Sequence, residues 1–436
     1  MVATQKQQND HDIVYLSVDD LQVGAKCRRP LEDDDGVLLL GAGTRITQEL
    51  IHTLKDREIQ ELPIHKDDLD ALTKSASGRG PSSKSKTGSR KSPTDFQATK
   101  PQDWPKGFPL REGLVDRRSE PLDEGRAAKL REQVSHARSD FEELRMALTE
   151  QKLQTIEAME SLSNAFAETI VDDHDQTLGQ IVTCDQQMTL VDRSVKLAVL
   201  GMAIATEMEL DGPSVLEVGK AGLLHDIGLF VMDPQLSVYG RLPLSDEELW
   251  QYRKHPITSV NSLRDVTELS SSVILAIEQV HEQFDGSGYP FGLEGKRAHV
   301  YSRILNVCDA YLRLVIGTSY RKSLVPHDAL GFLLHQAGYG VFDPKVVHAI
   351  LRTESLFPLG SRVALDDGNE AVVIRRPETG YANPIVQDNS GNRIDLAAES
   401  VSIKCPLVEP DLNQMRLSQE TMAQMRWSPA DELSFE

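Results

Sequence analysis

The sequence predicts a mainly α protein, with a small α/β module ahead of the helical core and a small β appendix behind it. Three observations carry this prediction. Apolar residues recur at helical spacing through most of residues 120–353, with short polar joints between the runs. Within that region His225-Asp226, His255, His281 and Asp309 follow one another at intervals of 26 to 30 residues, which suits one chemical group per helix. After Phe357 the pattern changes to short apolar runs separated by Asp-Gly, Thr-Gly and Ser-Gly turns.

The bulk properties narrow the class. A chain of 436 residues with 39% hydrophobic and 26% charged residues can bury roughly two or three cores. It holds no apolar run near the ~18 residues that a membrane-spanning helix needs. The stretch Met1 to Asp12 is polar and lacks the basic-then-apolar order of a secretion signal. The four cysteines (Cys27, Cys184, Cys308 and Cys405) form no Cys-x-x-Cys pair, which fits reduced thiols and a cytoplasmic setting. The net charge of −20 argues against DNA and other general nucleic-acid partners, because a phosphate backbone would be repelled. A small anion remains open to it if metal ions or a few Arg and Lys supply local positive charge.

In chain order, residues 13–65 read as the small N-terminal accessory module. Ile13 to Val18 and Gly36 to Gly43 read as strands, and Thr47 caps a helix carrying Leu50, Ile51 and Leu54 on one face. Residues 66–115 are rich in Ser, Gly, Pro and Lys, including a basic run from Lys74 to Lys91, and read as a flexible linker. Residues 120–172 are helical, with Leu130, Val134, Ala137, Phe141, Leu144, Leu148 and Leu153 at helical spacing. They form a stalk or connector, or a lid on the core, and they allow a homodimer. The helical core spans 160–353. Inside it Ser245 and Glu248 have the form of a capping box opening a helix that ends near Pro256, and another helix runs from about Ser271 to Phe284. The β appendix occupies 357–405, and 406–436 is a polar tail.

The chemistry is concentrated in the spaced His and Asp residues. The His-Asp dipeptide occurs four times, at His11, His174, His225 and His327, and carries no information alone. Only His225-Asp226 follows an apolar helical run and precedes a glycine. A buried histidine is ordinarily a satisfied core residue; two further histidines and an aspartate in matching contexts favour metal binding. A carboxylate has two oxygens, so Asp226 can bridge two cations and take the catalytic role, with His225 and Asp309 completing one shell and His255 and His281 the other. Mixed imidazole and carboxylate ligation suits Fe, Mn or a similar divalent ion, and two such ions suit phosphodiester hydrolysis.

The run His281-Glu282-Gln283-Phe284-Asp285-Gly286-Ser287-Gly288-Tyr289-Pro290, with His225-Asp226-Ile227-Gly228 and Lys254-His255-Pro256 upstream and Cys308-Asp309-Ala310-Tyr311 downstream, resembles the HD-GYP family. Members of that family are bacterial metal-dependent phosphodiesterases that open cyclic di-GMP. The resemblance implies an all-helical HD-type core, one or two divalent ions, cyclic di-GMP or a related nucleotide as ligand, and a Gly-Tyr-Pro loop that shapes the nucleotide site with Tyr289. It also implies signalling-protein contacts through that loop or the N-terminal module. Four positions depart from the family pattern. Arg193 stands where a ligand histidine is expected, and a guanidinium has no lone pair for a metal. Leu229 replaces a lysine, Val280 a second histidine, and Thr318 a phosphate-binding arginine, although Arg321 remains. Arg321 and Arg193 are therefore the candidate phosphate contacts, while Glu282 and Asp285 are expected to fix the loop. The losses fall on metal, phosphate and acid–base positions together, which points to a cyclic di-GMP signalling protein with impaired hydrolysis. The alternatives are a fully active phosphodiesterase and a non-catalytic nucleotide-sensing or protein-docking scaffold.

Overall fold

The computed structural model describes parts of 13–65, then 104, 106–182, 189–233, 236, 244–317, 322–409, 412–425 and 427. The chain divides into two units, Met1–Arg90 and Lys91–Glu436, each described by itself.

In the first unit β1 (Ile13–Ser17) pairs antiparallel with β4 (Glu61–His65), and β2 (Leu31–Glu32) with β3 (Leu38–Leu40). Leu16, Val18, Leu21, Ile46 and Ile51 are buried. The two expected strands are present in shortened form, and Ile51 is helical. Thr47, Leu50 and Leu54 of the expected helix, and the basic run Lys74 to Lys91, lie outside the described residues.

The second unit is mainly helical. The stretch expected as one connector is two helices, α1 (Glu124–Thr149) and α2 (Glu157–Asp172), joined around Glu150 to Ile156. The apolar positions Leu130, Ala137, Phe141, Leu144 and Leu148 bury themselves in the core of their own unit, so the face read as a coiled-coil seam is already covered. After α3 (His174–Ile181), α4 (Leu190–Glu207) crosses the centre, buried from Arg193 to Glu207. Its start is fixed by a capping box between Thr189 and Asp192. A short turn leads to α5 (Gly212–Leu224), opened by the Asp211 cap and Pro213. Gly222 lets α5 lie against α4, because a Cβ there would stand 2.7 Å from the Ala198 Cα. That close approach places the end of α5, and His225 after it, beside Arg193.

The expected capping box at Ser245 and Glu248 opens α6 (Asp246–Tyr252). The helix stops before Lys254, and Pro256 occupies the first turn of the next one, α7 (His255–Ser262), rather than ending its predecessor. Then come α8 (Ser271–Glu278), α9 (Val300–Val315), α10 (Pro326–Gly338) and α11 (Pro344–Glu354). α9 is buried on nearly every face and packs against α4. Between α9 and α10 lies the short strand β5 (Ser323–Leu324).

The appendix is a five-stranded antiparallel sheet in the order β10-β6-β7-β8-β9, from Arg362–Leu365 (β6), Glu370–Arg375 (β7), Ile385–Asp388 (β8), Arg393–Asp395 (β9) and Ile403–Pro406 (β10). Two expectations at the edges need correction. The last part of the expected linker is structured, since Trp104 and Leu110 are buried and Gly107 donates its N–H to Asp211. Part of the expected polar tail is also docked. β11 (Gln414–Met415) pairs with β5, and Leu417 and Trp427 are buried. The polar part of this segment is held by Asp328, which accepts from the Leu417 N–H and the Arg416 Nε. A last short helix, α12 (Gln419–Gln424), follows.

Candidate metal centre

The centre is assembled from the ends of helices rather than their middles. His225 caps α5, and Asp226 begins the tight turn that continues as the 3-10 segment Ile227–Phe230. Ser259 of α7 pins this turn, its Oγ donating to the His225 carbonyl (2.8 Å) and accepting the Gly228 N–H (2.9 Å). His255 is the first residue of α7. α8 ends at Glu278, so His281 stands past the helix that was expected to carry it. The chain turns there because both oxygens of the buried Glu282 are taken by later N–H groups, those of Phe291 (2.7 Å) and Leu293 (2.8 Å). Asp285 accepts from the Ser287 N–H and Oγ, so both carboxylates fix the loop as expected. Gly288 folds back tightly, with space for a Cβ only 2.2 Å from the Gln283 N and 2.5 Å from the His281 O. Asp309 alone comes from within a helix, α9.

His225, Asp226, His255, His281 and Asp309 are brought together, all at most 3% exposed. The His225 and His255 Nδ1 atoms each lie 2.8 Å from a backbone carbonyl, those of Gly222 and Tyr252. These partners assign the proton to Nδ1 and leave Nε2 as a lone pair facing inward. The two Nε2 atoms lie 3.0 and 3.1 Å from the Asp226 oxygens, yet neither Asp226 oxygen nor the His225 Nε2 makes a hydrogen bond. His281 Nε2 stands 2.9 Å from His255 Nε2. Lone pairs thus converge on buried carboxylate oxygens that lack donors, an arrangement that calls for a cation. Ligand atoms of Asp226, His255 and His281 lie within 4.8 Å of one another, and these residues fit one divalent ion.

The second ion's place is filled differently. The Arg193 guanidinium, 1% exposed, bonds Asp309 Oδ1 through one terminal nitrogen and lies 3.5 Å from Asp226 Oδ2 through the other. Arg313, four residues along α9, engages the other Asp309 oxygen through Nε at 2.9 Å. Asp309, expected to be a metal ligand, therefore has a guanidinium on each oxygen, and the residues around it do not fit a second ion. Arg193, expected as a phosphate contact, is enclosed, and its charge is spent on the two aspartates.

The electrostatics agree. Burial works to raise the Asp226 carboxyl, but its cationic surroundings, with the permanently charged Arg193 among them, outweigh it and hold the group well below the usual carboxylate range. Asp309 is held low in the same way, burial being overcome by Arg193 and Arg313. Burial, and then the neighbouring His255, push the His281 imidazole well below its ordinary value, so it is neutral and able to ligate.

Tyr289 stacks on His281, with ring centroids 4.9 Å apart and planes at 21°, and the Arg253 guanidinium sits 5.7 Å from its ring centroid. Its hydroxyl is buried without a hydrogen-bond partner, and burial pushes its pKa well above that of an ordinary phenol. It thus stays a neutral donor. Arg321 and Thr318 lie outside the described residues. Sequence reasoning missed Arg313, which also reaches the Tyr252 hydroxyl at 3.2 Å. The signal was available in the i, i+4 spacing of Asp309 and Arg313 on one helix.

Comparison with known proteins follows the same lines. Residues 176–346 match the HD domain family. The chain is 33% identical over 212 residues to a cyclic di-GMP phosphodiesterase of Pseudomonas aeruginosa, covering 48% of this chain and 50% of that one. It is 30% identical over 211 residues to the cyclic di-GMP phosphodiesterase PdeB of Borreliella burgdorferi, covering 48% and 54%. The matched region is an HD domain, and it is similar to that of HD-GYP-type cyclic di-GMP phosphodiesterases. A 3'3'-cGAMP-specific phosphodiesterase of Vibrio cholerae is 28% identical over 181 residues, covering 41% of each chain. The chain spans about half the length of the first two of these relatives. Within the matched region three of the departing positions, Arg193, Leu229 and Val280, are built into the interior. Among the described residues no helix is long and apolar enough to cross a membrane.

Proposed function

We propose that this chain is a cyclic di-GMP signalling protein of the HD-GYP type that holds one divalent ion instead of two and hydrolyses cyclic di-GMP poorly. The observation that carries this reading is the Arg193 guanidinium lying between Asp226 and Asp309. The substrate class rests on the relatives, which are phosphodiesterases of cyclic dinucleotides.

Asp226, His255 and His281 would hold the ion, with His225 supporting the same carboxylate. The ion would supply Lewis-acid polarisation of a phosphodiester oxygen and activation of water. The protein's own groups do the rest. Arg193 supplies one fixed positive charge where the family pattern implies a second cation, and it keeps both aspartates ionised. A guanidinium cannot take water as a ligand and lower its pKa as a metal does, so part of the two-ion chemistry is missing. Arg313, with its side chain 12% exposed, stands closer to solvent than Arg193 and can meet a phosphate oxygen. The Tyr289 hydroxyl can donate to the same group.

The test is turnover of cyclic di-GMP by the full chain loaded anaerobically with Fe(II) or Mn(II), with His281→Ala as the control. Slow, metal-dependent turnover that the control abolishes is expected, rising by about tenfold or more in Arg193→His. Fast turnover by the unaltered chain would contradict impairment, and turnover surviving His281→Ala would contradict the site.

A further inference from the structure

A second concentration of charge lies apart from the metal centre. A cavity of about 560 Å3 is walled by the stretch before α1, the joint between α2 and α3, the last turn of α4, α11 and the connection after β7. None of the metal-centre residues lines it. Six guanidiniums do: Arg111, Arg117, Arg118, Arg352, Arg375 and Arg376.

The same walls carry five carboxylates, so the balance must be counted by contacts. Arg375, 1% exposed, pairs with Asp173, and its Nε is buried with no hydrogen-bond partner. Arg376 engages Asp175 through Nε at 3.0 Å and through its backbone N–H at 3.2 Å, which leaves its terminal nitrogens as donors. The buried Glu207 shares one oxygen between Arg111 (3.1 Å) and Arg352 (3.5 Å). Arg118 takes both oxygens of Asp116. Glu378, the fifth acid, is 79% exposed and only 3.8 Å from Arg118 at its nearest. His174 adds no charge, because burial and the adjacent Arg376 push it down to about 4. Arg117 is taken up by Asp172 (2.6 Å) and Glu120 (2.9 Å), neither of them a lining residue, so each of the six guanidiniums has a carboxylate partner and what the cavity offers is unused N–H donors rather than net charge.

The unsatisfied, buried Arg375 Nε and the terminal nitrogens of Arg376, on adjacent residues of one wall, select an anion whose oxygens can be met by several donors at once, which is phosphate. The cavity falls in the usual range for small-molecule sites. It is larger than a phosphate alone requires, and Pro377 and Tyr381, the latter held by His348 at 2.8 Å, give it a less polar part suited to a base. We propose that this cavity binds a phosphate-bearing mononucleotide, independently of the metal centre.

The experiment is isothermal titration calorimetry of the full chain in EDTA with GMP, AMP and inorganic pyrophosphate. Saturable binding of at least one nucleotide, tighter than pyrophosphate, is expected. The variant Arg111→Gln/Glu207→Gln/Arg352→Gln removes two guanidiniums together with the acid they share, and should weaken binding by about tenfold or more. Arg118→Gln is a second variant, safe for folding because its partner Asp116 is 62% exposed, and should weaken binding in the same direction. Asp226→Asn should leave binding unchanged. Absence of saturable binding by the unaltered chain overturns the proposal, as does binding that both cavity variants retain or that Asp226→Asn abolishes. Pyrophosphate binding as tightly as either nucleotide overturns the assignment to a nucleotide.

Discussion

Arg193 decides the character of the metal centre because it offers charge without a lone pair. Two buried carboxylates side by side must meet a cation, and here one cation is covalently part of the chain. Arg193→Leu should therefore cost ~3–5 kcal/mol of stability in urea denaturation, since it leaves buried charge uncompensated. In Arg193→His, Mn(II) should recover much of that loss, and in Arg193→Leu it should not. A different single residue sets a pH dependence. Glu354 is buried with an unpaired oxygen, and burial, reinforced by Asp175, pushes its carboxyl up to about 8. Between its unfolded value near 4.5 and about 8 the folded state keeps a proton that the unfolded state has lost, so stability falls as pH rises through this window. Glu354→Gln should flatten that slope, by up to ~1.4 kcal/mol per pH unit, in melts followed from pH 5 to pH 8. At this scale the sequence showed which histidines and aspartates meet, because residue type and spacing carry that. That Asp309 is consumed by guanidiniums went unread, since Arg313 lies one helical turn along and belongs to no expected motif, although the i, i+4 spacing was there to be seen.

The elements place the ligands by how they end. His225 caps one helix, His255 starts another and His281 follows a third, so small errors in a helix boundary move a ligand. Ser259 bonds both sides of the His225-Asp226 turn, and Ser259→Ala should lower divalent-ion affinity by about tenfold or more while the helices persist by circular dichroism. Gly288→Ala should be more severe. The added methyl meets backbone atoms that cannot yield, so ~1–3 kcal/mol or more of stability should be lost together with Mn(II) binding. Helix existence was legible throughout residues 120–353, because a period of 3.6 shows in the apolar pattern. Helix ends were legible where a capping box marks them, as at Ser245. The end of α8 was not, because it is set by Glu282 bonding N–H groups nine and eleven residues later.

Across the whole second unit, the sheet is tied to the helical core by polar contacts as well as apolar ones. Arg375 of β7 reaches Asp173 at the joint between α2 and α3, with both side chains at most 3% exposed. Arg375→Ala should cost ~3–5 kcal/mol, and a double-mutant cycle with Asp173→Ala should return strong coupling. This long-range pairing was invisible in the sequence, since neither residue belongs to a pattern that names its partner. The docked segment 412–427 was read as a polar tail for the same reason. Its few apolar anchors, Leu417 and Trp427, are too sparse to give a period. What the molecule as a whole holds is most directly tested by counting metal. The full chain and Arg193→His would be loaded anaerobically with Mn(II), desalted and assayed by inductively coupled plasma mass spectrometry. About one ion per chain for the natural residue and about two for Arg193→His is the expected result. Two ions bound beside an intact Arg193, or no gain in Arg193→His, would contradict the view that this guanidinium stands in a cation's place.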